Sequence, residues 1–100
     1  MKNILSHSQY IKESKYDYEV YHDTYSSAID EVESYAKQRG YEIDQNEYEN
    51  TYTLFSKPDK GYTKSDTLTI YKDGKEQRKA LQVQIYRMDD GKFELNMYIN

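Results

Sequence analysis

The segment from residue 23 to residue 40 repeats its apolar residues at helical spacing. The apolar positions are Tyr25, Ala28, Ile29, Val32, Tyr35 and Ala36. Separations of three and four residues place them on one face of an amphipathic helix. Asp23 or Thr24 is suited to cap the first turn with a side-chain oxygen, and Gly40 suits the left-handed position after the last turn. The segment therefore predicts a helix over residues 24–39.

The last third of the chain alternates between apolar and polar residues, as strands with one buried face do. The apolar positions form three runs, which are Leu68 and Ile70, then Leu81, Val83 and Ile85, then Phe93, Leu95, Met97 and Ile99. A helix and a sheet that each have one apolar face bury those faces against each other. We therefore predict an α+β fold, in which one main helix buries Ile29 and Val32 against a three- to four-stranded antiparallel β-meander.

The first turn of this meander falls at Asp73-Gly74. These two residues are typical of a two-residue type I′ hairpin loop, because both central positions need a positive φ. Such a loop places residue 70 opposite residue 77 and residue 68 opposite residue 79. Residues 77 and 79 have the same parity as the apolar positions that follow them, so the apolar faces of the two strands agree.

The second turn needs a longer loop. A two-residue loop at residues 90–91 sets Ile85 against Asn96 and turns the apolar side chains of one strand outward. A three-residue loop over residues 89–91, with Gly91 left-handed, avoids this conflict. We therefore predict the three-residue loop, whose register pairs Ile85 with Leu95, Val83 with Met97 and Leu81 with Ile99.

The region between the helix and the strands is less clearly patterned. Residues 41–52, "YEIDQNEYENTY", fit either a short helix around residues 44–48 or a loop that leads to a strand over residues 51–56. Residues 57–66, "KPDKGYTKSD", are rich in Pro, Gly, Lys and Asp. That composition predicts a loop.

Composition is consistent with one small domain of 100 residues. Hydrophobic residues make up 36% of the chain, and 13 residues are tyrosines, whose rings suit half-buried positions around a thin core. The absence of cysteine excludes a disulfide scaffold and a thiolate metal site, and it fits a reducing compartment. No apolar run approaches the roughly 20 residues of a membrane-spanning helix. We therefore expect a protein that does not span the membrane.

Charge is divided unevenly along the chain. Residues 1–56 hold five Lys or Arg against eleven Asp or Glu, whereas residues 57–100 hold nine against seven. The acidic half argues against general affinity for nucleic acid, because phosphate contacts need clustered cations. We interpret the division as a solvated helix face beside a lysine-rich sheet.

Two groups of residues are candidates for catalytic or metal chemistry. His22-Asp23 invites a catalytic interpretation, but a lone pair of this kind before a helix is typical of capping and surface polarity. Asp30, Glu31 and Glu33 point to different sides of the predicted helix and are therefore poorly placed to share one cation. We expect no enzymatic activity, no catalytic residue, no metal site and no cofactor.

Three tyrosines of the predicted strands are candidates for partner binding. Tyr71, Tyr86 and Tyr98 fall on the sheet face opposite the aliphatic positions. Tyrosine is enriched in protein–protein interfaces, so several on one face predict a protein-binding patch. The alternative is that these rings only support packing along a flat sheet face.

The first fourteen residues carry a distinct motif. The chain begins Met1-Lys2, has an aromatic-aliphatic pair at Tyr10-Ile11, and continues Ile11-Lys12-Glu13-Ser14. This leader resembles the capsid-targeting sequence of internal head proteins in T-even-like bacteriophages. In that family, the prohead protease cuts after Glu in a pattern of Ile or Leu, any residue, Glu and a small residue. The insertion-like stretch "NILSHS" departs from the commoner versions of the leader. The rest of the chain resembles small uncharacterised proteins of tailed phages.

The resemblance implies a division of the chain and a function. Residues 1–13 are expected to be a capsid-targeting leader, removed at a cleavage site formed by Ile11, Glu13 and Ser14, and residues 14–100 a single domain. The protein would meet the prohead protease and the scaffold core, lie in the virion interior, and be ejected with the DNA into the host cytoplasm. There it would bind and inhibit a host protein, such as a defence enzyme. The alternative is a non-packaged cytoplasmic phage inhibitor or adaptor that acts by protein–protein contact.

Overall fold

The computed structural model of the protein describes residues 17–53 and 55–100. The expected leader over residues 1–13, with its cleavage residues Ile11, Glu13 and Ser14, lies outside these residues. The elements in chain order are β1 (Tyr21–His22), α1 (Tyr25–Gln38), β2 (Glu42–Ile43), α2 (Gln45–Thr51), β3 (Thr63–Lys72), β4 (Lys75–Arg87) and β5 (Phe93–Ile99).

The fold is α+β, as predicted, but its sheet has five antiparallel strands in the order β1-β5-β4-β3-β2. The prediction of one main helix on three to four strands was therefore wrong in detail. Strands β1 and β2 have two residues each, which is too short to show an alternating pattern. They join the edges of the sheet by pairing Tyr21 with Glu94 and Ile43 with Ile70.

Helix α1 forms where its apolar spacing predicted it. Of the two candidate caps, Thr24 is the one used, because its hydroxyl accepts from the backbone N–H of Ser27 at 3.1 Å. Gly40 follows the helix with φ +84°. Val32 is fully buried, as predicted, but Ile29 is only half-buried. Position 29 lies about 100° around the helix from the fully buried Ala28, on the side that faces α2.

Helix α2 resolves the ambiguity of the central region. Asp44 caps it by accepting from the backbone N–H of Glu47 at 3.1 Å, so the helical alternative is confirmed and the strand over residues 51–56 was wrong. The Glu47 carboxylate also accepts from the backbone N–H and the hydroxyl of Thr69, at 2.7 and 2.9 Å. Tyr48 donates from its hydroxyl to the carbonyl of Ile29 at 2.8 Å. Helix α2 therefore ties β3 to α1.

The predicted loop over residues 57–66 ends earlier than expected, because β3 begins at Thr63. The long strand β4 supplies partners for this polar stretch, and Asp66 pairs with Val83. On the helix side of the sheet, the Lys64 ammonium lies 3.4 Å from the Asp66 carboxylate. Pairing and an ion pair thus place polar residues in a strand that composition alone assigned to a loop.

The first turn is a two-residue loop, but the predicted register fails beyond it. Asp73 and Gly74 have φ values of +53° and +77°, and the residues on either side of them pair. Further along, Leu68 lies opposite Leu81 instead of residue 79. Residues 77–79 of β4 bulge against Ile70, the single residue of β3 between the paired positions, which adds two residues to β4. Because two is an even number, the alternation of buried side chains survives.

The second turn confirms the prediction in full. Ile85 pairs with Leu95, and the two further predicted pairs, Val83 with Met97 and Leu81 with Ile99, are also present. Gly91 has φ +90°. The loop of residues 89–91 is closed by a hydrogen bond from the backbone N–H of Met88 to the carbonyl of Lys92 at 2.8 Å.

The core lies between α1 and one face of the sheet. Ala28, Val32 and Ala36 of α1 have no exposed surface, and they pack with inward side chains of β2 to β5. Small residues at two of these three positions let the helix approach the sheet closely. Among residues 17–53 and 55–100, no helix is long and apolar enough to cross a membrane.

Candidate protein-binding surface

The helices leave most of the sheet face opposite α1 uncovered. Within the described residues, α1 packs on one face of the sheet and α2 lies at the edge of β3. The outward side chains of β3, β4 and β5 are therefore half-buried or exposed, while the residues between them are largely buried. We define the open face as Tyr21 of β1 together with Thr63, Ser65, Thr67, Gln82, Gln84, Tyr86, Glu94, Asn96 and Tyr98. Beyond these ten residues, the same side of the sheet continues to Thr69 and Ala80 and then to Tyr71 and Glu76.

The strand register arranges the open face in three rows. The first row runs across four strands and the other two across three. The rows are Tyr21, Glu94, Tyr86 and Thr63, then Asn96, Gln84 and Ser65, then Tyr98, Gln82 and Thr67. Within the third row, the Thr67 hydroxyl donates to the side-chain carbonyl of Gln82 at 2.8 Å. Four strands and five residues along a strand span about 14 by 13 Å between Cα atoms.

The open face is almost free of charge. Glu94 is its one charged residue, although charged residues make up 32% of the chain and typically about 25–35% of a designed soluble surface. The other nine side chains are tyrosine, threonine, serine, glutamine or asparagine. Tyr98 is 52% exposed and Tyr21 is 65% exposed. The face therefore offers aromatic rings and neutral hydrogen-bonding groups to a partner.

Tyr71, Tyr86 and Tyr98 do share one side of the sheet, but the structure separates them. Tyr86 and Tyr98 lie in the first and third rows, about 13 Å apart along the strands. Tyr71 lies near the opposite end of β3, where its hydroxyl donates to the Asp44 carboxylate at 3.2 Å. This hydrogen bond raises the pKa of Tyr71. Tyr71 is therefore engaged with the cap of α2, outside the open face.

Tyr21 belongs to the open face and was not found from the sequence. It lies on β1, directly beside Glu94 of β5. Two residues of strand give no measurable alternation, so the only signal was an aromatic residue just before the helix cap.

His22 explains why β1 is fixed in place. Its ring is buried, with Nδ1 2.7 Å from the Ser27 hydroxyl and Nε2 2.9 Å from the carbonyl oxygen of Glu19. A carbonyl only accepts, so in the neutral ring Nε2 carries the proton and Nδ1 accepts from the hydroxyl. Asp23 is exposed, and its carboxylate lies 3.5 Å from the Lys92 ammonium. His22 thus joins β1 to α1 and holds the neighbouring Tyr21 on the open face.

The acidic residues of α1 make separate contacts. The Glu31 carboxylate accepts from the backbone N–H of Glu19 at 3.4 Å, and Glu33 accepts from the side-chain amide of Gln45 at 3.3 Å. In the part of the chain that the structure describes, no three His, Asp or Glu residues are placed to hold a metal ion.

The chain matches no protein-family model, and neither a curated protein nor a solved structure is significantly similar to it.

Proposed function

We propose that this protein is a non-enzymatic binding module that contacts another protein through its open face. The observation that carries the proposal is the near absence of charge across ten outward side chains that include three tyrosines. Protein–protein interfaces are depleted in Lys, Glu and Asp at their centre and enriched in tyrosine. Tyrosine, serine and asparagine together are also typical of antibody binding sites, where rigid rings supply contact area and small polar groups supply adaptable hydrogen bonds.

The same composition favours a protein partner over a nucleic acid. Aromatic side chains on a sheet can stack on unpaired bases, but such sites combine the rings with cations that contact the phosphates. The open face contains no Lys or Arg. Its single carboxylate, Glu94, lies between Tyr21 and Tyr86 and would repel a phosphate backbone.

The resemblance of the leader to capsid-targeting sequences suggests where this contact takes place. In this proposal the chain enters the prohead, is cut after Glu13, and reaches the host with the DNA, where its domain binds and inhibits a host protein. Contacts of the first described residues support a domain that includes residues 17 and 18. Asp17 forms an ion pair with Arg39, and the Tyr18 hydroxyl accepts from the backbone N–H of Met97 at 3.0 Å.

The binding surface is tested by recovery of partners from infected cells with the affinity-tagged chain. We expect Gln84→Lys and Tyr98→Ser to lose the partner recovered by the native chain, by about tenfold or more, because each alters the centre or a ring of the open face. Ser34→Lys is the matched control, since Ser34 is exposed on α1, on the other side of the sheet. Equal recovery by all four proteins would refute the open face as the binding surface.

Packaging is tested separately by mass spectrometry of purified virions. We expect the chain there to begin at Ser14, and we expect Glu13→Ala to leave it uncut. If virions lack the chain while Gln84→Lys still loses the partner, the protein acts as a non-packaged cytoplasmic inhibitor or adaptor. If virions contain the uncut chain, the cleavage proposal fails and the binding proposal stands.

A further inference from the structure

Among residues 17–53 and 55–100, one large and wholly apolar side chain projects into solvent. Phe55 is 96% exposed, more than the other large exposed residues Tyr21, Tyr62 and Tyr98, and unlike them it has no polar atom in its side chain. Full burial of a phenylalanine side chain is stabilising, because it removes apolar area from water. Phe55 gains little of this within its own chain, so its ring is available to a partner.

A cavity of about 240 Å³ opens on the side of the molecule that carries the helices, between residues that precede and follow Phe55 in the chain. Its walls come from the start of α1 and from the segment after α2, and they are Tyr25, Ser26, Ile29, Tyr52, Thr53 and Lys57. An engineered cavity of about 150 Å³ is known to bind benzene, so this one has room for a phenyl ring.

The cavity walls suit an aromatic guest. Tyr25 and Tyr52 are buried, and burial raises the pKa of both, so both rings are uncharged at neutral pH. The Tyr25 hydroxyl is hydrogen-bonded to the Ser56 hydroxyl at 2.8 Å. Contacts between aromatic rings are more favourable than the apolar area they bury accounts for. A phenyl ring that enters between Tyr25, Tyr52 and Ile29 would meet mostly ring and aliphatic carbon.

Phe55 is close to the cavity in the chain, although its own ring is not one of the cavity walls. Thr53 and Lys57 are walls of the cavity, and Phe55 lies between them in the chain, within about 7 Å of each along the backbone. A projection and a recess side by side form a surface that is complementary to itself. A rotation of 180° about an axis between them places the projection of each copy at the recess of the other copy. This is the arrangement of an isologous dimer.

We propose that two copies of this chain associate about a two-fold axis beside Phe55, with each Phe55 ring occupying the cavity of the other copy. The interface is small, because two rings and their surroundings bury less than the roughly 1,200 Å² of a standard interface. The dimer is therefore weak, with a dissociation constant in the range of about 10 µM to 1 mM.

The dimer leaves both open faces free, because the cavity lies on the helix side of the sheet. Two open faces on one particle bind a partner that itself has two sites, or is part of an array, more tightly than one face does. This consequence rests on the proposed function, whereas the dimer does not.

Sedimentation equilibrium of the full chain, from about 10 µM to about 1 mM, tests the dimer. We expect the average mass of the native chain to rise toward that of two copies. Phe55→Ala, which removes the projection, and Ser26→Phe, which fills the recess, should each stay near the mass of one copy. Tyr62→Ala is the matched control, since Tyr62 is 67% exposed but lines no part of the cavity, and it should behave as the native chain does.

A mixture of the two variants separates the proposed geometry from general loss of solubility or fold. Phe55→Ala keeps the recess and Ser26→Phe keeps the projection, so their mixture should form a heterodimer through one insertion, weaker than the native dimer by about tenfold or more. Circular dichroism checks the fold of each variant, and Thr53→Phe, on another wall of the cavity, replaces Ser26→Phe if that variant is unfolded. A native chain that stays monomeric at about 1 mM or a Phe55→Ala variant that still dimerises overturns the proposal, and a mixture with a higher average mass than either variant alone supports it.

Discussion

The two faces of the sheet are made from alternate residues of the same strands, yet they follow different rules. On β4, Leu81, Val83 and Ile85 point toward α1 and are buried, while Gln82 and Gln84 point the other way. Burial accounts for every aliphatic residue on the covered face, because each contributes apolar area removed from water. No such requirement acts on the open face.

The difference shows at which positions the requirements of folding do not decide the residue type. Lys, Glu or Arg would be compatible with exposed strand positions such as Ser65, Thr67 and Gln84, and the rest of the chain uses charge heavily. The neutral, tyrosine-bearing composition of the open face is therefore not a requirement of stability. It is the composition expected of a surface that loses its water when a partner binds.

The largest expected effect comes from truncating two neighbouring residues of β4, one on each face of the sheet. Ile85→Ala, on the covered face, should lower the free energy of unfolding by about 2–5 kcal/mol, because it leaves a cavity in the core. Gln84→Ala, one residue earlier and exposed, should change it by no more than about 0.5 kcal/mol. Urea unfolding of both variants measures the difference. Similar losses would mean that the open face is part of the folding core.

The edge of the sheet, where the two faces meet, gives an intermediate effect. Glu47→Ala removes a carboxylate that accepts two hydrogen bonds from Thr69 and leaves the Thr69 N–H without that acceptor, so we expect a loss of about 1–3 kcal/mol. Glu49→Ala, an exposed position on the same helix, is the control. An equal effect of the two substitutions in urea unfolding would contradict the role of Glu47 in holding α2 to β3.

The helix that covers the inner face depends on its cap by a smaller amount. Thr24→Ala removes the side-chain oxygen that accepts from Ser27, with an expected cost of about 1 kcal/mol. For a domain of this size, that corresponds to a lower melting temperature by roughly 4–8 °C. Thr24→Ser retains a hydroxyl at the cap and should keep most of the stability. A melting temperature for Thr24→Ala equal to that of Thr24→Ser would count against the cap.

The smallest effect is a pH dependence that arises on the covered side. Burial raises the pKa of Tyr48 from the ordinary 10.0 to about 12. Because the unfolded chain loses this proton first, the contribution of Tyr48 to stability is complete below pH 10 and declines as the pH rises from 10 to about 12. Tyr25 and Tyr52 shift in the same direction. Tyr48→Phe should make the alkaline decline in unfolding free energy shallower.

Tyr41 provides a control of opposite sign. The neighbouring Lys79, whose ammonium lies 5.5 Å from the centre of the Tyr41 ring, lowers the pKa of this tyrosine. Its ionised form is therefore favoured by folding, and its contribution to stability is lost as the pH falls through the lowered pKa. Tyr41→Phe should make the alkaline decline steeper. A decline that both phenylalanine variants change in the same direction would refute these assignments.

The sequence predicted those parts of the fold in which strong local signals agreed. The apolar spacing of α1, its cap and Gly40 all indicated the same helix. The register of β4 with β5 followed from Gly91 and from the need to keep Ile85 and Leu95 on one face, because a shift by one residue would have exposed an entire row.

The parts that escaped prediction have no local signal. The bulge at residues 77–79 adds two residues, so both registers bury the same side chains and the alternation does not distinguish them. Strands β1 and β2 exist because the edges of β5 and β3 offer them backbone partners, which is a property of the assembled sheet. The membership of the open face was therefore also missed in part. Strand β1 contributes Tyr21, and Tyr71 lies too far along β3 from the three rows to belong to them.

The order of strands in the sheet has a consequence for the synthesis of the protein. Strand β5 lies between β1 and β4, although it is translated after both, and Tyr21 pairs with Glu94 across most of the chain. At about 5–20 residues per second, several seconds separate the appearance of β1 from that of its partner. For most of that interval β1 has no strand to pair with, because β4 and β5 have not yet been made, and contacts between residues so distant in the chain form slowly. The sheet is therefore incomplete, with an unpaired edge, until β5 has left the ribosome and inserted between β1 and β4, and substitutions that slow this insertion should lower the yield of the protein before they lower its stability.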